Sequence, residues 1–239
     1  MDVLSEILAQ GAMELGIELD SGAFARFSLF TDELTEWNKV MNLTAIKKPE
    51  EIAVKHYVDS LAVLKYVKIK NNARIADVGC GAGFPGIPVK IARNDISLCS
   101  IDSLGKRVKF LAQLVDKLGF ENCECVHARA EEVGGKAPFR EAYDYAFARA
   151  VARLRVLCEY CIPLVRIGGA FIAMKGGDCA EEIAEAQNAI KLTGGEMENV
   201  FSYNLPQTDM ARSIIVIRKV KETQAKYPRA SAKIAKSPL

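Results

Sequence analysis

The sequence predicts an α/β domain whose mostly parallel sheet is covered by helices on both faces, and two observations carry that reading. From Arg74 onward, short apolar runs alternate with amphipathic stretches: ARIADVG, ISLCSID, ENCECVHA, YDYAFAR, GGAFIAMK and SIIVIRKV. Runs of this kind suit strands buried on both faces. The second observation is the glycine-rich segment DVGCGAGFPG (77–86), directly after the first run, where a strand must turn tightly into a helix.

The elements follow in order. Leu4, Leu8, Ala12 and Leu15 recur at helical spacing over residues 2–16, and Phe24, Phe27, Phe30, Leu34 and Trp37 do so over 21–38. A third helix is expected over 49–67, with Pro49 in its first turn. Together they form a helical N-terminal extension, residues 1–68. Further helices are expected near 86–93, 106–118, 153–162 and 179–192, the last opened by Asp178 and Glu181 in a capping-box-like arrangement. The sheet domain then occupies residues 69–220, and a basic tail residues 221–239.

A chain of 239 residues, 50% hydrophobic and 26% charged, can build one sizeable core plus an appendage. Its N-terminus, MDVLSEILAQ, carries acids where a signal peptide needs basic residues, and no eighteen apolar residues run uninterrupted. A cytoplasmic chain that does not enter a membrane is expected. Seven cysteines without framework spacing suit reduced, buried thiols. Cys158 and Cys161 form the one C-x-x-C pair, and a zinc site would need a second pair of ligands from a chain with only His56 and His127. Packing is therefore expected there, and no metal.

The segment Asp77-Val-Gly79-Cys-Gly81-Ala-Gly83-Phe84-Pro-Gly86 contains G-x-G-x-x-G, which alone matches a dinucleotide fingerprint. The acid two residues before Gly79 shifts the reading to D-x-G-x-G-x-G, the pattern associated with S-adenosylmethionine. A zwitterionic amino-acid moiety needs a carboxylate nearby, whereas a pyrophosphate is repelled by one. Asp102, ending the second strand, can accept the hydroxyls of an adenosine ribose. Ser103 beside it can contact the nucleoside or cap a helix. Ala130 and Glu131 follow the third strand, where the adenine amino group is met; Glu131 can equally be a first-turn helix acid.

The acceptor is narrowed by absences. No Pro-Pro pair supplies the loop of exocyclic-amine methylases, and no proline is followed by the cysteine that attacks cytosine C5. The fourth strand ends instead in Arg149, with Arg153 beyond it. An arginine there is compatible with an acceptor that needs no deprotonation, such as guanine N7, where orientation is the main task. Arg149 can serve as the positioning residue, through guanine O6 or a phosphate; the plain alternative is a surface arginine.

The blocks EWNKVMNLT (36–44), HYVDSL (56–61), DVGCGAGFPGIP (77–88), IDSLGKRVKFL (101–111), RAEE (129–132) and ARAVARL (148–154) closely resemble the bacterial 16S rRNA guanine-N7 methyltransferase family, also called the glucose-inhibited division protein B family. The resemblance implies a Rossmann-like class I methyltransferase fold with a seven-stranded sheet. It also implies N7 methylation of a guanine in the decoding-region hairpin loop of 16S rRNA. Gly79, Phe84, Ala130, Glu131 and Arg149 are the cofactor positions it carries over; Asp77, Gly81, Gly83, Asp102 and Ser103 join them on the argument above.

Asn42, Thr44, His56 and Asp59 are candidates for the substrate side, although His56, a lone histidine of ordinary pKa, can equally tie the N-terminal helices to the sheet. Residues 218–239 hold seven Lys/Arg against Glu222, so the net charge of +2 divides into +6 there and −4 on the rest. Basic tails suit polyanions, so Lys226 and Arg229 join Lys106, Arg107 and Arg153 as RNA candidates. With Tyr227-Pro228 and Ser237-Pro238 disfavouring a continuous helix, much of the tail is expected to be mobile until it meets phosphates. The partner is 16S rRNA or the small ribosomal subunit, and no protein partner is called for. Two rivals remain: an NAD-dependent oxidoreductase, distinguished by which cofactor protects the protein against heat, and a non-catalytic RNA-binding assembly factor, distinguished by a methyl-transfer assay.

Overall fold

A computed structural model describes residues 2–239. Helix α1 (Val3–Leu15) is capped by Asp2, whose side chain accepts the Ser5 N–H, and ends at Gly16 in the left-handed conformation. Asp20 caps α2 (Ser21–Met41) in the same way, and that helix runs past residue 38 to end at left-handed Asn42. The third helical stretch is composite: α3 (Pro49–Ile52) continues through a π-helical turn (Ala53–Val58) into α4 (Asp59–Tyr66). Apolar spacing does not announce this turn, a rare form often found at functional sites, and His56 sits within it.

The strands are β1 (Arg74–Val78), β2 (Ser97–Asp102), β3 (Cys123–His127), β4 (Tyr143–Arg149), β5 (Val165–Gly176), β6 (Gly195–Asn204) and β7 (Ala211–Lys219). They lie in the order β3-β2-β1-β4-β5-β7-β6. The first five pair in parallel, and β7 runs antiparallel to both β5 and β6. Apolar runs mark every strand but β6. As an edge strand with much of its length exposed, β6 needs no continuous apolar run.

Helices α5 (Gly86–Ala92), α6 (Gly105–Lys117), α7 (Ala130–Val133), α8 (Leu154–Cys161) and α9 (Ala180–Thr193) complete the layers. The pleat sorts strand residues into two cores. Ile75, Tyr145, Phe147, Ile172, Ile214 and Val216 join residues of α5, α6 and the N-terminal helices. Ala76, Val78, Ala146, Phe171, Ile215 and Ile217 join residues of α8 and α9. Phe27, Phe30 and Leu34 of α2 are fully buried in the first core, each contributing about 2 kcal/mol of burial. The N-terminal helices thus share a core with the sheet. Cys158 and Cys161 lie fully buried in the second core, where burial pushes both thiols far up.

Three local expectations are corrected. The capping box expected at α9 does not form: Asp178 accepts the Ala180 N–H in a tight turn, and Cys179, before the helix, makes no side-chain cap. At α7 Glu132 instead accepts the Arg129 backbone N–H at 3.4 Å, and no side chain caps that helix from the N-cap position. The tail, expected to be mobile, is folded back on the body and ends in a short helix, α10 (Ser231–Lys236). Its Tyr227 and Ile234 are buried, and Arg229 grips Glu159, a carboxylate with no exposure at all. Leaving that buried charge unpaired would be costly, so Arg229 is committed to the fold and is withdrawn as an RNA contact. Among the described residues, no helix is long and apolar enough to cross a membrane.

Candidate active site

The strand order reverses between β1 and β4, and in such sheets ligands bind beyond the strands' carboxyl ends at that point. Two clefts open there. The first, of about 350 Å³, is lined by Gly79 after β1, Asp102 and Ser103 at the end of β2, Ala130 and Glu131 of α7, and Ala150 and Val151 after β4. Tyr160 of α8 and Ser231 of α10 close its far wall. The second, of about 380 Å³, is lined by His56, Asp59, Arg149, Lys175, Tyr203 and Arg212, with Ala150 again. Ala150, a non-glycine residue in the left-handed region, is where the two clefts meet.

The glycine turn shapes the first cleft. Gly79 has φ +68°, and a Cβ on it would lie 2.6 Å from the Val151 side chain. Its neighbours act more indirectly. Gly81 donates its N–H to Asp102 Oδ2 at 3.0 Å, and Gly83 closes the turn through the Cys80 carbonyl at 2.8 Å; neither lines the cleft. Asp102 also accepts the Leu104 N–H at 2.9 Å, so its carboxylate is held rigidly at the cleft wall.

Asp77 lies beneath this turn, fully buried. Its Oδ2 accepts the Gly86 N–H at 2.8 Å, while Oδ1 has no partner among the described residues. Burial raises its pKa to about 7, against the lowering effects of the Gly86 bond and the Arg149 charge. A buried, half-satisfied carboxyl fits a nearby ligand ammonium, acting through the turn rather than by surface contact.

The second cleft is ordered by a chain of polar contacts. Arg149 donates to Asp59 Oδ2 at 2.7 Å and to His56 Nδ1 at 3.2 Å, and Arg212 donates to Asp59 Oδ1 at 2.9 Å. Because a guanidinium only donates, His56 Nδ1 accepts, and Nε2 keeps the proton and donates to Thr44 Oγ1 at 2.9 Å. The Asn38 side chain in turn holds the Thr44 backbone through two hydrogen bonds of 2.9 Å. The His56 ring stacks on Phe84 at 4.3 Å, and Phe84 stacks on Phe30 of α2. Burial, then the Arg149 charge, lowers the His56 pKa to about 3. The ordinary pKa expected for it is therefore corrected, and the ring is neutral at any physiological pH.

Residues 24–212 match the family described as GidB, rRNA small subunit methyltransferase G. The chain belongs to that family. A protein of Acetivibrio thermocellus named Ribosomal RNA small subunit methyltransferase G is 48% identical over 99% of this chain and 97% of its own. One of the same name from Desulforamulus reducens is 46% identical over the whole of both chains. Solved structures share the fold at lower identity. A SAM-dependent methyltransferase from Aquifex aeolicus gives a TM-score of 0.54 at 17% identity, covering 74% of this chain and 96% of that one. The [4+2]-cyclase SpnF gives 0.56 at 15%, covering 85% and 97%. Fold alone thus leaves the reaction open, and family membership decides it: the chain is a methyltransferase that uses S-adenosylmethionine.

Within this member of the methyltransferase G family, Gly79, Asp102, Ser103, Ala130 and Glu131 come together in the first cleft. Glu131 is also a first-turn acid of α7, although Glu132 is the one that reaches back to the Arg129 N–H. Phe84 lies outside that cleft, 6% exposed, joining the glycine turn to the N-terminal helices. Arg149 is no surface arginine; its side chain is 12% exposed and lines the second cleft with His56 and Asp59. Arg107 lines the first cleft, 3.5 Å from Asp102, with its side chain partly exposed. Lys106 and Lys226 are exposed, Arg153 pairs with Glu185, and Asn42 is the cap of α2 and lines neither cleft. Sequence reasoning missed Arg212, Tyr160 and Ser231. Arg212 had a signal, since it shares a strand face with the apolar Ile214 and Val216.

Proposed function

We propose that the chain transfers the S-adenosylmethionine methyl group to N7 of a guanine in the decoding-region hairpin loop of 16S rRNA, with the cofactor in the first cleft and the guanine in the second. In this reading Glu131 and Ala130 meet the adenine, Asp102 the ribose, and Gly79 the methionine end. Bound there, the cofactor supplies an electrophilic methyl group.

The observation that supports N7 is how the titratable groups lining the second cleft are engaged, which leaves none of them free to act as a general base. His56 is held neutral with a depressed pKa, Asp59 is occupied by two arginines, and burial pushes the Tyr203 phenol far up. Lys175 is paired with Glu182 at 2.7 Å, and Lys55 with Glu51 at 2.5 Å. Exocyclic amines need a proton removed, whereas N7 offers a free lone pair. Guanine also presents two acceptors on its outer edge, O6 and N7, where adenine presents a donor beside N7. Among the described residues, the Arg149 guanidinium keeps Nε–H and one Nη2 proton free of partners. It orients O6.

In cells lacking the protein, mass mapping of 16S rRNA should show one guanine in that loop without its methyl group, restored by the purified chain and S-adenosylmethionine. Restoration at another base or position would replace this reading. Turnover at saturating substrates should be flat between about pH 6.5 and 8.5, a window that opens at the usual histidine value. A steep rise lost in His56→Ala, with RNA binding kept, would show that a base operates after all.

A further inference from the structure

Residues from Thr223 onward cross the outside of α7 and α8 and are fastened at two points. Arg140 donates to the Tyr227 carbonyl at 2.8 Å, the Thr223 carbonyl at 2.6 Å and the Gly134 carbonyl at 3.1 Å, tying the tail to the end of α7. Arg229 then holds fully buried Glu159 through its backbone N–H, Nε and Nη2, at 2.7–2.8 Å. Beyond these anchors Ile234 is fully buried, and the chain delivers Ser231 to the wall of the first cleft beside Tyr160. There Ser231 Oγ accepts a hydrogen bond from Arg129 Nη1 at 3.1 Å.

The placement matters because α7, a single turn of four residues, carries Ala130 and Glu131. A helix this short holds its place only through tertiary contacts. We infer that the C-terminal segment is a strap that walls the adenine end of the cofactor cleft, with Ser231 and Arg129 as positioning residues that hold α7 against the nucleobase. The inference rests on the reading that the first cleft takes S-adenosylmethionine. It assigns the tail to cofactor affinity, whereas its charge alone assigned it to RNA.

The experiment compares the full chain, a chain ending at Arg229, and the Ser231→Ala and Ser231→Thr variants by isothermal titration with S-adenosylmethionine and by steady-state methylation of rRNA. The truncation keeps both anchors but removes Ser231 and Ile234. Its cofactor Kd and KM should rise about tenfold, as expected when a wall and its hydrogen bond are lost together, with kcat at saturating cofactor within about twofold. Ser231→Ala should raise Kd about threefold, the effect of one hydrogen bond, and Ser231→Thr, which keeps the hydroxyl, should restore it. Should the truncated chain not fold, the two point variants decide alone: an Ala variant with unchanged Kd overturns the strap. So does a folded truncation with unchanged Kd and a salt dependence of RNA affinity shallower by about 1.4, two lysine contacts at roughly 0.7 each. A full chain that binds no S-adenosylmethionine overturns the cleft assignment, and the strap with it.

Discussion

Gly79→Val should abolish measurable S-adenosylmethionine binding while leaving the sheet folded. A valine there must adopt φ +68°, a region in which β-branched residues are strained, and its Cβ would begin 2.6 Å from Val151. Either the turn reshapes or Val151 moves into the cleft that both residues line. Both outcomes remove the methionine end of the site, so at least a hundredfold loss is expected, about 2.7 kcal/mol. Isothermal titration measures it, with circular dichroism as the control for folding; near-normal affinity in a folded variant would displace the ligand from this cleft. Asp77→Asn should act differently. Burial keeps the Asp77 proton up to about pH 7, and a bound ammonium favours the ionised form. Affinity should therefore rise as pH passes up through about 7 and then level off. In Asp77→Asn the rise should flatten, with only a several-fold loss at high pH, because the buried group acts through the turn. The same raised pKa means that the native state holds a proton which the unfolded chain releases above the ordinary value of 3.8. The stability this group contributes is therefore fully present below pH 3.8 and declines as pH climbs from there through about 7.

The parts of the fold that were legible are those where one local rule suffices. Parallel strands buried on both faces leave apolar runs, and Asp77 with its glycines leaves a fingerprint because the turn admits few other residues. Contacts made across the fold leave no such mark. Nothing near Ser231 in the chain signals that Arg229 will find Glu159, and the tail's charge pointed toward phosphates instead. The pKa of His56 is likewise a property of what packs on it, Phe84 and Arg149, brought from two other segments. Arg212 is an intermediate case. A cation on the inward face of a strand otherwise lined by Ile214 and Val216 is costly unless paired, so alternation alone predicts an acidic partner without naming Asp59. The π-helical turn has no apolar signature, yet it carries His56 and leads directly to Asp59.

Arg149→Ala should lower turnover on rRNA by roughly two orders of magnitude, the usual effect of removing one positioned donor from an active site. Cofactor affinity should change only a few-fold, because the side chain lines the second cleft and not the first. Arg149→Lys should recover little. The fork reaches Asp59 and His56 at once, in two directions, and a single ammonium reaches one of them. Loss of the guanidinium also frees His56 Nδ1 and removes a charge that disfavours imidazolium, so in the Ala variant the His56 pKa should climb from about 3 toward its ordinary value. That shift can be followed by NMR titration of the ring, independently of catalysis. Asp59→Ala makes the contrasting variant. It strands the guanidiniums of both Arg149 and Arg212, and breaking a buried pair on one side costs about 3 kcal/mol or more, a fall in Tm of roughly 10 °C. If Arg149→Ala lost stability as Asp59→Ala does but kept full turnover on rRNA, the arginine would be a structural tie between the helical extension and β4, and the guanine would have to be oriented by Arg212 or Lys175.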